Sequence, residues 1–205
     1  MEDVPDWYAR PYAPAEPLVC FDETSTQLIA ETRAPLPPGP GRPERVDYEY
    51  ERNGTANLFL IVEPLRGRRH VDVTDRRTKQ DFAHQMRELV DRHYPDATTV
   101  HVVLDNLNTH TPAALYEAFS PAEAKRIADR LAFHYTPKHG SWLNMAEIEF
   151  SVLARHCRRR RLGDRATLAT ELATWEAARN EQRATITRQF TVDDARSKLH
   201  RLYPS

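Results

Sequence analysis

Apolar residues along this chain follow two kinds of pattern: short continuous runs, and stripes at the spacing of a helix. Runs rich in β-branched and aliphatic residues, bounded by polar residues, predict buried strands. Such runs predict strands at Leu18–Asp22, Asn57–Val62 and Thr98–Leu104. His70–Val73 is predicted as the returning strand of a hairpin, and alternation predicts a fifth strand at Leu131–Tyr135. The pair Asn53-Gly54 predicts a turn that opens a hairpin before the second of these strands.

Helical spacing begins after the third predicted strand. Thr78 and Asp81 form a capping-box pattern at the start of a helix that Pro95 ends. Further helices are predicted from Pro112, from Pro121, from about Leu143 to Cys157, through Leu168, Leu172 and Trp175, and from about Val192. This order of elements predicts an α/β fold with a five-stranded mixed sheet flanked by helices.

Three segments are predicted along the chain. The prolines of residues 1–17 predict an extended N-terminal arm. Residues 18–162 contain all the predicted strands and form the main domain, and residues 163–205 form a helical extension packed on it. A length of 205 residues suits one domain with a core of its own, or one such domain with a helical extension.

Composition favours a folded globular protein over a membrane-spanning or secreted one. A hydrophobic content of 40% and a charged content of 29% are typical of a folded globular chain. No apolar run approaches the ~18 residues of a membrane span, and the acidic start lacks the apolar stretch of a signal peptide. Two distant cysteines, Cys20 and Cys157, form no disulfide framework, so a cytoplasmic location is expected.

Charge is unevenly distributed along the chain. The formal net charge of −1 argues against a protein that coats nucleic acid through bulk charge. Residues 151–205 nevertheless contain twelve Arg or Lys against six Asp or Glu, and most basic residues of the chain are Arg. Arginine suits bidentate contacts with phosphate, although a GC-rich genome would also enrich it.

Acidic residues follow two of the predicted buried strands. Asp22 ends the first strand and Asp105 follows the fourth, and the carboxyl ends of parallel strands are where ligands and catalytic groups collect. Two neighbouring carboxylates repel each other unless a cation lies between them, and Mg²⁺ prefers such oxygen ligands. A third carboxylate on the Leu143–Cys157 helix would allow two ions to be held about 4 Å apart for phosphodiester chemistry.

Each acid also has an ordinary structural interpretation. Asp22 could start a turn, and Asp105-Asn106 could form an Asx turn that leaves a strand. Asn144 and Glu147 form a good capping-box pattern that requires no chemistry. Helical spacing does not choose between Glu147 and Glu149 as the third acid, because both flank the apolar stripe at similar angles.

Three blocks of sequence resemble the catalytic domain of DDE transposases, most closely those of bacterial insertion sequences in the mariner-like superfamily. The blocks are Phe21-Asp22-Glu23-Thr24, Val103 to His110 with its Asp-Asn-x-x-x-His pattern, and Leu143-Asn144-Met145-Ala146-Glu147. The third block usually reads Leu-Asn-Pro-x-Glu in that family, so Met145 replaces the usual Pro. This resemblance, unlike the helical spacing, selects Glu147 over Glu149.

The resemblance implies a ribonuclease-H-like fold for residues 18–162. It implies Mg²⁺-dependent cleavage of transposon-end phosphodiesters and strand transfer to target DNA, with Mn²⁺ able to substitute. Asp22, Asp105 and Glu147 would be the catalytic metal ligands, and Asn106 and His110 would line the site. The protein would then be cytoplasmic and associated with the nucleoid when bound to DNA.

Substrate contacts and partners are also implied. Asn144, Arg158 and Arg159 are candidate substrate-binding residues, and Trp142 either stacks on a base near the cut or anchors the core. Only 21 residues precede Asp22, too few for the helix-turn-helix modules of full-length relatives. A separately encoded or frameshift-fused helix-turn-helix portion is therefore an expected partner, and a second copy of the chain in a homodimer is another candidate.

Two other functions fit less of the sequence. A resolvase-type or repair endonuclease on the same fold would carry its acids at other positions and would lack the Leu-Asn-x-x-Glu block. An inactive or domesticated fragment would bind DNA or a protein partner through the basic C-terminal part, and an intact set of three acids argues against such decay.

Overall fold

The computed structural model describes residues 2–43, 45–138, 140–157, 161–187 and 189–198. The strands are β1 (Leu18–Glu31), β2 (Tyr50–Glu63), β3 (Arg68–Thr74), β4 (Val100–Leu104) and β5 (Leu131–Tyr135). The helices are α1 (Asp3–Tyr8), α2 (Lys79–Glu88), α3 (Ala113–Ala118), α4 (Pro121–Ala128), α5 (Ala146–Cys157), α6 (Arg165–Glu181) and α7 (Val192–Lys198). A π-helical segment, Leu89–His93, continues α2, and a short 3₁₀ turn, Ser141–Leu143, precedes α5.

The five strands form one mixed sheet in the order β3-β2-β1-β4-β5. Strands β1, β2 and β3 pair in antiparallel fashion, whereas β4 pairs in parallel with both β1 and β5. The mixed five-stranded α/β architecture predicted from the sequence is therefore confirmed. The first strand lies at the centre of the sheet, and β3 and β5 form its two edges.

Strands β1 and β2 are much longer than predicted. Asn53-Gly54 was expected to turn the chain, but both residues lie inside β2. Gln27 pairs with Thr55 and Ile29 pairs with Arg52, so two residues of β2 oppose one residue of β1. Gly54 has a φ of +91°, a conformation that glycine adopts readily, and the expected turn is instead a β-bulge.

Hydrophobic residues pack on both faces of the sheet. One face, with Cys20, Leu60 and Val103, packs against α1, α5 and α6. The opposite face, with Phe21, Phe59 and Val102, packs against α2, α3 and α4. Because successive side chains of a strand point to opposite faces, burial on both faces explains the continuous apolar runs of β1 and β4.

Two local predictions have different outcomes. The capping box that begins α2 is confirmed, because the side chains of Thr78 and Asp81 each accept a hydrogen bond from the other residue's backbone N–H. The extended arm predicted for residues 1–17 is wrong for residues 3–8, which form α1. Val4 of α1 is buried in the core, and this burial against the sheet favours a helix over an extended arm.

Across these described ranges, the helices include none that is both long and apolar enough to traverse a lipid bilayer.

Candidate active site

The parallel pairing of β1 with β4 brings two of the predicted acids to one edge of the sheet. Leu18 pairs with His101 and Cys20 pairs with Val103. Continued by two residues, this register brings Asp22 beside Asp105, where the strands lie about 5 Å apart. Because strand side chains alternate, both acids belong to the sheet face that packs against α5.

The entry to α5 is fastened to β1 by Asn144. The side chain of Asn144 donates from Nδ2 to the backbone oxygen of Phe21 at 2.8 Å and accepts from the backbone N–H of Ala146 at 3.1 Å. Asn144 was predicted to bind substrate, but its side chain is only 1% exposed. This geometry favours a role in holding Glu147 near Asp22 over direct contact with DNA.

The two acids of α5 lie in different environments. Glu149 is fully buried and forms 2.7 Å ion pairs with Arg69 and Arg179. Burial opposes its ionisation, but these two arginines outweigh burial and lower the pKa of Glu149. Glu147 is half-buried and forms no hydrogen bond or ion pair through its carboxylate within the described ranges. Of the two, Glu147 is therefore the acid that remains available for a ligand.

The acids of this cluster repel one another electrostatically. Burial, and then the negative charges of Asp105, Glu23 and Glu147, raise the pKa of Asp22 to about 7. A backbone N–H bond from Glu23 to Asp22 Oδ1 at 2.9 Å offsets part of this effect. The cluster thus concentrates negative charge at one point, which a bound cation would relieve.

His110 lies between two carboxylates on the inner side of this cluster. Its Nδ1 is 2.6 Å from Asp105 Oδ1, and its Nε2 is 2.7 Å from Glu23 Oε2. Burial opposes protonation of His110, but the two carboxylates outweigh burial and raise its pKa to about 9. His110 was expected to line the site near the phosphate. Both ring nitrogens face carboxylates and the side chain is 1% exposed, so this geometry favours orientation of Asp105.

Four predicted substrate residues remain, of which the structure describes Asn106 and Trp142. Asn106 is exposed directly after Asp105. Trp142 is 42% exposed beside the entry to α5, and its ring meets Phe190 edge-on at 4.9 Å. Arg158 and Arg159 lie outside the described residues. The substrate contacts of all four residues stay predictions.

A cavity of about 700 Å³ lies between β1 and α5, the elements that carry Asp22 and Glu147. Its walls include residues 24–29 of β1 and Arg161, together with five residues of α5: Phe150, Ser151, Leu153, Ala154 and Arg155. The lining residue Thr24 is two residues beyond Asp22 in β1, and Arg155 and Arg161 add positive charge to the lining.

The donor chemistry of the cluster suits a hard divalent cation. Asp105 Oδ2, Asp22 Oδ2 and both oxygens of Glu147 have no hydrogen-bond partner among the residues for which the structure gives positions. Carboxylate oxygens are the ligands that Mg²⁺ prefers. In the same residues, no group of three or more His, Cys, Asp and Glu side chains is already close enough together to hold a metal ion. Binding would therefore require these carboxylates to rotate toward one another.

Sequence reasoning missed Glu23 and Tyr8 as neighbours of the site. Glu23 follows Asp22 directly, and the strand alternation that turns Asp22 toward α5 turns Glu23 toward His110 on the other face. That alternation was a usable signal for Glu23. The contact of Tyr8 with the entry to α5 spans 135 residues, and no local pattern indicates it.

The strand order, the central parallel pair and the helices on both faces define a ribonuclease-H-like α/β domain with acidic residues at the ends of its central strands. A family model described as DDE superfamily endonuclease matches residues 17–169. The chain therefore belongs to the DDE superfamily of endonucleases. The family resemblance stated from the three sequence blocks is confirmed.

Solved structures give the same fold at low sequence identity. The Mos1 mariner paired-end complex with Mn is similar with a TM-score of 0.55 and 16% identity, covering 87% of this chain and 53% of that chain. A pre-cleavage Mos1 transpososome has a TM-score of 0.55 and 14% identity, covering 82% and 54%. The Mos1 transposase paired-end complex with the left transposon end has a TM-score of 0.52 and 14% identity, covering 83% and 52%. This chain thus spans about half the length of these transposases, and no curated protein matches it by sequence.

Proposed function

We propose that this chain is the catalytic domain of a DDE transposase. In this proposal it cleaves phosphodiesters at transposon ends and transfers the freed strand to target DNA, with Mg²⁺ as cofactor and Mn²⁺ as a substitute. Membership of the DDE superfamily of endonucleases supports a nuclease, and the fold similarity to Mos1 transposase favours transposition over other nuclease reactions.

The main support is the electrostatic coupling of three acids from three remote parts of the chain. Asp22, Asp105 and Glu147 come from β1, the end of β4 and α5, and the charges of the latter two act on Asp22. Their carboxylates have oxygens with no cation partner in the described ranges, whereas Glu149 has two. We assign Asp22, Asp105 and Glu147 as the metal ligands. Divalent ions at such a site activate water as a nucleophile and stabilise the leaving oxygen of a phosphodiester.

The other residues of the cluster would keep the ligands in place. His110, held protonated between Asp105 and Glu23, would fix the orientation of Asp105 and offset part of the negative charge. Asn144 would keep the start of α5 against β1. Such preorganisation matters because ligands held loosely by even about 1 Å bind and react poorly.

DNA would approach along the exposed rim. Asn106 directly follows Asp105 and Trp142 precedes α5, both at exposed positions, while Arg155 and Arg161 of the basic segment line the cavity between β1 and α5. One of the Mos1 structures is a paired-end complex with the left transposon end, which supports DNA as the substrate. A homodimer would be the working assembly. A helix-turn-helix portion, separately encoded or fused by frameshifting, would recognise the transposon ends.

The test is cleavage of supercoiled plasmid by the whole chain. Wild type should nick the plasmid with Mg²⁺ or Mn²⁺ and not with EDTA. Asp105→Asn should abolish nicking while DNA binding in a gel-shift experiment survives. Asp72→Asn is a matched control, because Asp72 lies on β3 and accepts a 2.7 Å bond from Gln85 away from the acids.

Equal nicking by wild type and Asp105→Asn would overturn the assignment. A wild-type chain that shifts DNA in EDTA and never cuts it would instead support the binding-only fragment.

A further inference from the structure

Helix α1 lies before the region that the family model matches, yet it contacts two of the elements that carry the acids. The matched region begins at residue 17, whereas α1 covers Asp3–Tyr8. Its residues pack in the core on the sheet face that also contacts α5. This position makes α1 a candidate for fixing the acids relative to one another.

The hydroxyl of Tyr8 connects the entry of α5 to β1. It donates to the backbone oxygen of Leu143 at 3.0 Å and lies 3.4 Å from the backbone nitrogen of Met145. It is also 3.2 Å from Cys20 Sγ. Leu143 and Met145 are the chain neighbours of Asn144. The Tyr8 hydroxyl and the Asn144 side chain therefore both attach residues 143–145 to β1.

The strand residue that Tyr8 contacts lies next to the first acid. Cys20 and Asp22 are two residues apart in β1 and therefore on the same sheet face. Met145 is two residues before Glu147, at the beginning of α5. One hydroxyl thus spans the gap between the strand that carries Asp22 and the helix that carries Glu147.

The rest of α1 is anchored to β4 and β5. The Trp7 ring stacks on His101 with 3.6 Å between centroids. Asp3 is 2.7 Å from His134 Nδ1, and His134 Nε2 is 3.0 Å from His101 Nδ1. Since β4 ends directly before Asp105, α1 is attached to the strand of the second acid as well.

We propose that Tyr8 is a positioning residue that keeps the start of α5, and with it Glu147, near enough to Asp22 and Asp105 for the three side chains to turn toward a shared divalent ion. This inference rests on the proposed metal site. Loss of the hydroxyl leaves the ring packed and the three carboxylates intact, but it frees the entry of α5 to move. Metal affinity should then fall, while the maximal rate at saturating metal is retained.

The test compares Tyr8→Phe with Tyr94→Phe in the whole chain. Tyr94 is a matched control, because its buried hydroxyl donates to Glu63 at 2.8 Å. The Tyr94 side chain packs on the face of the sheet opposite to Tyr8. Three quantities are measured: amide hydrogen exchange at residues 143–147, Mn²⁺ affinity by electron paramagnetic resonance without DNA, and plasmid nicking as a function of Mg²⁺.

Tyr8→Phe should weaken Mn²⁺ binding and raise the half-saturating Mg²⁺ by about 3- to 10-fold, the effect of losing one hydrogen bond. Exchange at residues 143–147 should accelerate by a similar factor, and the nicking rate at saturating Mg²⁺ should stay within about twofold of wild type. Tyr94→Phe should lower thermal stability and change none of these three quantities.

Unchanged exchange and unchanged Mn²⁺ affinity in Tyr8→Phe would overturn the proposal, as would equal effects of the two substitutions. If wild type binds Mn²⁺ but nicks no DNA, the proposed function fails, and exchange and Mn²⁺ affinity still decide the role of Tyr8. If the wild-type chain binds no Mn²⁺, both the proposed function and the proposed role of Tyr8 are overturned.

Discussion

The side-chain amide of Asn144 donates to the backbone carbonyl of Phe21 at 2.8 Å, and this bond joins the residue before Asp22 to the segment that leads into Glu147. Phe21 and Asn144 are 123 residues apart in the chain. This buried side chain, together with the Tyr8 hydroxyl, therefore holds two of the proposed ligands near each other. Its loss should affect catalysis more than its hydrogen-bond energy alone suggests, because the ligands must stay close to their productive geometry.

We expect Asn144→Ala to lower the free energy of unfolding by about 1–3 kcal/mol, since the Phe21 carbonyl loses a buried partner. Metal-dependent nicking should fall by at least about tenfold at saturating Mg²⁺, beyond what partial unfolding explains. Urea unfolding and plasmid nicking on the same preparations measure the two effects.

Asn57→Ala is the control for this prediction. Asn57 is also buried and donates to a backbone carbonyl, that of Asp75, at 3.0 Å. We expect it to destabilise the chain to a similar extent while nicking is preserved. If both substitutions reduce nicking in proportion to stability, the positioning role of Asn144 is refuted.

The two acids of α5 should respond in opposite ways to the same substitution. Glu149→Gln leaves Arg69 and Arg179 without their shared carboxylate, and breaking a buried ion pair costs about 3–5 kcal/mol. Glu147→Gln removes a charge that repels Asp22 and should leave the free energy of unfolding unchanged or slightly higher. Nicking should be abolished by Glu147→Gln and should persist in whatever fraction of Glu149→Gln is folded.

Urea unfolding curves and nicking rates corrected for the folded fraction distinguish the two substitutions. A stable, inactive Glu149→Gln together with an active Glu147→Gln would reverse the assignment of the third acid.

The choice between Glu147 and Glu149 as the third acid could not be made from local sequence patterns. Helical spacing treats Glu147 and Glu149 alike, because their difference arises from Arg69, 80 residues earlier, and Arg179, 30 residues later. Only tertiary packing brings those arginines to α5. The family resemblance selected Glu147 on a different basis, and the buried ion pairs of Glu149 support the same choice independently.

Local chemistry predicted other features well. The capping box of Thr78 and Asp81 formed because both partners lie within one helical turn. The buried strands of the sheet followed from their continuous apolar runs. Gly54 misled the turn prediction, because the same positive φ serves a hairpin turn and a bulge inside a long strand. Helix α1 was missed because its residues pack against parts of the chain that are distant in sequence, as Trp7 does against His101.

Acid should destabilise the fold partly through His93. Burial, together with the charges of His70, Arg68 and Arg92, lowers the pKa of His93 to about 4, and Glu176 acts weakly in the opposite direction. An unfolded chain binds a proton at this residue near pH 6.5, whereas the folded chain does not until about pH 4. The stabilising contribution is therefore present above pH 6.5 and is lost as the pH falls from 6.5 to 4.

Because His93 is partly exposed, we expect the loss to be about 1 kcal/mol rather than the full value of the pKa shift. The measurement is the free energy of unfolding between pH 4 and 7 for wild type and His93→Asn. Between pH 7 and 4, wild type should lose about 1 kcal/mol of stability relative to His93→Asn. A constant separation across this range would exclude His93 as a source of acid sensitivity, and His84→Asn, at an exposed position of α2, is the control substitution.

The outer edge of β3 is covered by side chains of α6 in place of another strand. Asn180 exchanges two hydrogen bonds with the backbone of Arg69, at 2.7 and 2.9 Å, and Glu176 accepts from the backbone N–H of Val71 at 2.9 Å. An edge strand without such partners presents a template for pairing with another chain.

We therefore expect the double substitution Glu176→Ala and Asn180→Ala to cause concentration-dependent self-association, alongside a loss of about 2–4 kcal/mol in the free energy of unfolding. Sedimentation velocity at increasing protein concentration measures it, with Glu181→Ala, near the end of the same helix, as the control. A double variant that loses stability but shows the wild-type concentration dependence would mean that α6 stabilises this edge without protecting it.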